Sequence, residues 1–172
     1  MSTKEKVSRV VSKRRFRYPF SIVGGILILA SFFLPREVEH FLKIGYPGIL
    51  LFNILSSGLI LIPIALRQFP LLSLIIICAL GNIINTSVYY FVGYNSDELF
   101  QNNILLIRLT SLFKKSGLWG VYQLAIIPLP IDINGLLSGY IGIPYKKYIP
   151  INFLGKCTQF ALEAAIIMYI VK

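Results

Sequence analysis

SGLWGVYQLAIIPLPIDINGLLSGYIGIPYKKYIPINFLGKCTQFALE, Ser116 to Glu163, is a long apolar run broken near its middle. Pro128, Pro130 and Asp132 interrupt it, followed by Asn134, Gly135 and Gly139. Each proline removes a backbone donor and clashes with the preceding turn, so one straight helix through both is excluded. A carboxylate beside them at membrane depth is costly unless it is paired or functional. After Lys146 and Lys147 the apolar pattern resumes as a helix, about Tyr148 to Val171, that carries Lys156, Gln159 and Glu163. The stretch reads as a re-entrant segment followed by a membrane-spanning helix.

The rest of the chain is consistent with a membrane setting. Of 172 residues, 56% are hydrophobic and only 14% charged, with mean hydropathy +0.73. A water-soluble domain of this size carries far more charge. The net charge is +10, and seven of the seventeen basic residues fall in the first seventeen positions. Beside an apolar segment, such a tail reads as a cytoplasmic flank drawn to anionic lipid rather than a nucleic-acid arm. Residues 1–17 are therefore expected to be a basic cytoplasmic tail, and 18–172 a single membrane domain of a multi-pass cell-membrane protein. Phe20 to Leu34 is expected to anchor it as an N-terminal membrane helix, because no small-residue cleavage site follows.

Further along, Arg36 to Lys43 mixes charges with Val38, Phe41 and Leu42, the pattern of a short interfacial helix. Ile44 to Leu66 carries no charge but holds Gly45, Pro47, Gly48, Asn53, Ser56, Ser57, Gly58 and Pro63. That density of breakers predicts a second re-entrant hairpin, turning near Ser56–Gly58, which is tolerated only where protein or water covers the backbone. Phe69 to Tyr94 is a spanning helix whose polar residues Asn82, Asn85, Thr86 and Tyr89 share one face. Such a face suits either packing between helices or a lumen. Asn103 to Leu112 is expected to be an amphipathic surface helix.

The two halves look alike. Ile62-Pro63 sets against Ile127-Pro128, and Gly81–Tyr89 against Gly155–Glu163. This register places Asn82 with Lys156, Asn85 with Gln159 and Tyr89 with Glu163. Pro63 to Gly81 spans 18 positions and Pro128 to Gly155 spans 27, so the second copy needs an insertion of nine. Broken apolar segments in matching places of two halves point to a midplane site. With the tail inside, twelve basic residues fall inside and four outside, leaving Lys156 aside; the positive-inside rule holds. The expected fold is all-α, with two inverted repeats, each a re-entrant hairpin plus a transmembrane helix.

This arrangement resembles the DedA/VTT family, also called SNARE-associated Golgi proteins, over about residues 45–168. The first half offers Gly81-Asn82 through Tyr90-Phe-Val-Gly93. The second offers Ile127-Pro-Leu-Pro-Ile-Asp132, Leu137-Ser-Gly139 and Leu154-Gly155-Lys156. Many bacterial members have arginines around the second-half proline, where this chain has Ala125 and Ile131 or Asp132. The resemblance implies movement of phospholipid or polyprenyl-phosphate lipid between leaflets.

The residues alone suggest related chemistry. Asn152, Lys156, Gln159 and Glu163 form one helical stripe that must face the bundle interior or a wet cavity. Lys156 and Glu163 are two turns apart, so Lys156 is expected to meet Asp132 instead. A polar groove with broken helices and a lysine suits a phosphate-bearing head group. The substrate or ion pathway is thus expected along Asp132, Asn134, Lys156, Gln159, Glu163, Asn82 and Asn85, with breaks at Pro63, Pro128, Pro130 and Gly139. A proton- or ion-coupled solute transporter on the same scaffold is the alternative. An enzyme acting on lipid phosphates is disfavoured, since no nucleophile–base set is evident. Cys78, Cys157 and His40 show no metal-binding spacing. The expectation is therefore a non-enzymatic protein without cofactor, whose partners are membrane lipids and not nucleic acid.

Overall fold

The computed structural model describes Ile22, Ile26 and residues 38–56, 60–95, 104–128 and 132–170. The basic tail, most of the expected first helix, Ser57, Gly58 and Pro130 lie outside the described residues. Seven helices follow in order, with no strand among the described residues: α1 (Val38–Lys43), α2 (Tyr46–Leu55), α3 (Leu61–Ala65), α4 (Leu71–Asn95), α5 (Ile104–Ile126), α6 (Ile133–Ile141) and α7 (Tyr145–Ile170).

α4 and α7 are long and apolar enough to cross a membrane, with mean hydropathies of 2.0 and 1.3 over their best windows. At the rise of an α-helix they extend about 37 and 39 Å, more than the roughly 30 Å hydrocarbon core. Their outward faces are apolar. Leu72, Ile76, Leu80 and Ile84 lie exposed along α4 at four-residue intervals, and Leu154, Leu162, Ile166 and Ile170 lie exposed along α7. Asn82, Asn85 and Thr86 of α4 and Asn152, Lys156 and Gln159 of α7 are buried. Polar residues inside and apolar residues outside is the arrangement hydrocarbon surroundings favour.

The short helices fit between them. α1 buries Val38 and Leu42, one turn apart, and leaves Glu39, His40 and Lys43 outward, as its sequence predicts. α2 ends at Ser56, which leaves helical geometry at φ −136° while its N–H still reaches the Phe52 carbonyl at 2.8 Å. Pro63 does not break a helix. It sits in the first turn of α3, where a missing N–H costs nothing, and the break lies before it.

The expected surface helix 103–112 is also longer than its sequence suggests. α5 runs from Ile104 to Ile126 and departs from helical geometry only at Gly117, φ 55° and ψ −131°. Phe113 to Ser116 carry nothing that stops a helix, whereas Gly117 adopts a conformation open to glycine alone. α6 starts at Asp132, whose Oδ1 accepts from Gly135 N at 2.9 Å. It ends at left-handed Gly142, with Ile143 N donating to Ser138 O at 3.0 Å, a Schellman closure.

Helix pairing sets the interior. α2 and α6 both pack on α4, the later part of α5 and short α3 pack on α7, and α4 meets α7. Gly81 of α4 lies against the Leu50 carbonyl and Asn53 Cβ of α2; Gly155 of α7 lies against the Tyr122 carbonyl and Ala125 Cβ of α5. At both positions a side chain would collide with the partner helix. Gly139, expected to be a break, lies inside α6 with the Tyr90 backbone against it; it serves close approach rather than interruption. One apolar cluster joins α1–α4 to Phe160 and Ala164. A second gathers Tyr90, Phe113, Val121, Leu137 and Tyr148.

Candidate functional site

A file of buried polar side chains runs between α4 and α7. On α7, Lys156 Nζ donates to Gln159 Oε1 at 3.0 Å, and Gln159 Nε2 donates to Glu163 Oε1 at 2.9 Å. The three-then-four spacing puts these groups on consecutive turns of one face. Gln159 thereby joins two opposite charges too far apart to touch. Lys156 is 6% exposed and Gln159 2%.

Next to the ladder, Asn152 links three helices. Its Nδ2 donates to Thr86 Oγ1 of α4 at 2.8 Å, and its Oδ1 accepts from Asn134 Nδ2 of α6 at 2.9 Å. At the other end, Asn53 Nδ2 of α2 donates to its own helix at the Ile49 carbonyl (2.9 Å) and to Cys78 Sγ of α4 (3.4 Å). Asn85 Nδ2 reaches the Ile54 carbonyl at 2.7 Å, taking up an acceptor freed where α2 ends. From Tyr148 to Glu163 the file follows α7 for about 22 Å, much of the roughly 30 Å apolar slab.

Several acceptors remain without a hydrogen bond among the described residues: Asn53 Oδ1, Asp132 Oδ2, Asn134 Oδ1 and Glu163 Oε2, together with the Ser138 hydroxyl. Unpaired buried oxygens are costly in an apolar interior; here they lie on α2, α6 and α7.

The structure brings together most of the residues expected from sequence. Asn134 links to Asn152; Lys156, Gln159 and Glu163 form a separate ladder; and Asn82 and Asn85 lie buried on α4, Asn85 turned to the Ile54 carbonyl of α2. The expected Asp132–Lys156 pair is corrected. Asp132 spends one oxygen capping α6, and Lys156 turns along its own helix to Gln159. Pro128 stands just beyond the end of α5. Asn53, Ser138 and Tyr148 are not among the pathway residues expected from sequence; all three are wholly buried. Asn53 and Ser138 could have been found as polar residues within otherwise apolar, breaker-rich stretches. Among the described residues no three His, Cys, Asp or Glu side chains gather as a metal site.

Compared with known proteins, the chain matches no family model, no curated protein and no solved structure.

Proposed function

We propose that this chain is a multi-pass membrane protein that moves a phosphate-bearing lipid head group between leaflets along the polar file. The observation that carries this reading is the Lys156–Gln159–Glu163 ladder on an apolar-coated helix, with Lys156 and Gln159 buried and Glu163 half-buried. Intramembrane charges of this kind belong to pathways more often than to packing.

In this reading the two halves are inverted repeats with re-entrant hairpins, as in the DedA/VTT proteins that the motifs resemble. Contact register supports it. Leu50 faces Gly81 while Ile54 meets Asn85, so α2 runs parallel to α4. Thr86 with Asn152 and Tyr90 with Tyr148 set α4 against α7 in opposite directions. Tyr122 and Ala125 stand to Gly155 as Leu50 and Asn53 stand to Gly81. On this register Asn53 to Gly81 spans 28 residues and Ala125 to Gly155 spans 30. The halves then differ by two residues instead of nine.

Reconstituted proteoliposomes test the function. Acyl-labelled fluorescent phospholipid and a polyprenyl-phosphate probe would be followed separately, comparing wild type with Lys156→Ala and Asp132→Asn. Asparagine caps helices as well as aspartate, so the second variant removes charge while keeping the α6 cap. Transbilayer movement that falls to the protein-free rate in Lys156→Ala is the expected result. Folded wild type that moves neither lipid would turn the reading towards a gradient-coupled solute transporter. That alternative draws on the tight burial of Asn53, Asn152 and Gln159, which a proton crosses more readily than a head group.

A further inference from the structure

We infer that the ladder is built for a zwitterionic head group, one carrying both a phosphate and a primary ammonium; this rests on the lipid-translocation reading. Three observations lead there. Gln159 turns its carbonyl to Lys156 and its amide N–H to Glu163. A neutral dipole thus occupies the space between the charges, with its negative end at the lysine and its positive end at the carboxylate. A phosphate–ammonium head group has the same polarity, and it can replace both hydrogen bonds, each charged on one side only, with ion pairs charged on both sides.

The second observation is charge balance. Lys156 and Glu163 sum to zero inside an apolar slab. A zwitterion keeps that sum at zero, whereas an anionic lipid or a lone cation leaves a net buried charge, which is expensive.

The third is the set of unsatisfied atoms at the carboxylate end. Asn53 is wholly buried with Oδ1 unbonded, and Glu163 Oε2 is likewise unbonded. Asn53 donates to Cys78 Sγ, and Ala164, next to Glu163 on α7, packs in the same apolar cluster as Cys78. Two acceptors await N–H donors. A primary ammonium supplies three, while a quaternary choline nitrogen supplies none. At the other end Lys156 Nζ spends only one of its three donors, on Gln159, so phosphate oxygens find N–H groups there.

The test uses full-length protein in liposomes with acyl-labelled lipids bearing ethanolamine, choline or glycerol head groups and dithionite as reporter. Ethanolamine lipid should cross about tenfold faster than choline lipid, the effect of one charge-assisted hydrogen bond. Glu163→Gln, matched in size, should abolish the advantage of ethanolamine lipid over choline lipid measured in the same variant. Equal movement of all three by wild type overturns the head-group inference while keeping lipid translocation. An ethanolamine advantage that survives Glu163→Gln overturns it too. Absence of movement for every lipid, in protein that elutes as a folded species, overturns both readings.

Discussion

At the scale of single residues, the interior depends on amide side chains that mediate between groups unable to meet directly. Gln159 bridges Lys156 and Glu163, and Asn152 bridges Asn134 and Thr86. Their removal should have different consequences. Asn152→Ala strips a partner from two buried groups at once, each left paying part of its desolvation penalty. The expected loss is about 1–2 kcal/mol, towards the upper range of hydrogen bonds between membrane helices, read as a lower unfolding midpoint in mixed micelles. The charged ladder should behave as a coupled unit. Lys156→Met alone leaves a half-buried carboxylate without its cation, a loss of about 1–3 kcal/mol. Glu163→Gln alone leaves the lysine in the same position. Lys156→Met with Glu163→Gln removes both charges, so the double variant should be more stable than Lys156→Met. A double variant whose loss equals the sum of the singles would show that the two charges do not communicate through Gln159.

At the scale of elements, glycines decide where helices bend and where they touch. Gly117 sits at φ 55° in mid-α5, so Gly117→Ala should cost about 1–3 kcal/mol from backbone strain alone, visible as a lower melting temperature without any lost contact. Gly155 is helical, and its role is proximity to Tyr122 and Ala125. Gly155→Val should force α5 off α7 and abolish the proposed lipid movement in proteoliposomes, and Gly81→Val should do the same to α2 and α4. This distinction explains how far the sequence could be read. The spans of α4 and α7, the buried stripe of Asn82, Asn85 and Thr86, and the short α1 all follow from periodicity, and the structure places them within a few residues of expectation. Glycine and proline carry no such periodic signal. Pro63 reads as an interruption and opens a helix, Gly139 reads as a break and makes a contact, and the kink at Gly117 carries no signal in the pattern. Anchoring the proposed repeat on Pro63 and Pro128 therefore introduces an insertion of nine residues, which anchoring on the helix contacts of Asn53 and Ala125 reduces to two. The partner of Lys156 was illegible for another reason. A flexible lysine chooses between a neighbour on its own helix and one across the interface, and only the position of α6 shows that Asp132 is engaged in capping.

At the scale of the whole molecule, antiparallel pairing of α4 and α7 fixes which ends lie on which side. Ser87 meets Tyr145, Tyr90 stacks on Tyr148, and Thr86 bonds Asn152. The start of α7 therefore lies beside the end of α4, and the start of α4 lies at the opposite end of the bundle. Arg67, just before α4, and Lys147, in the first turn of α7, are both exposed. If the bundle spans the bilayer, these residues face opposite compartments. In the proposed topology, with the excess of basic residues on the tail's side, Lys147 is expected inside and Arg67 outside. Single cysteines test this after Cys78 and Cys157 are replaced by serine. In sealed right-side-out vesicles, Arg67→Cys should react with an impermeant maleimide at once. Lys147→Cys should react only after permeabilisation. Reversal of the two would invert the orientation but preserve the transverse pairing. Labelling of both from one side would mean that α4 and α7 do not cross the membrane as an antiparallel pair, and the polar file between them would then lead from one leaflet back to the same leaflet, with no route for a head group to the other.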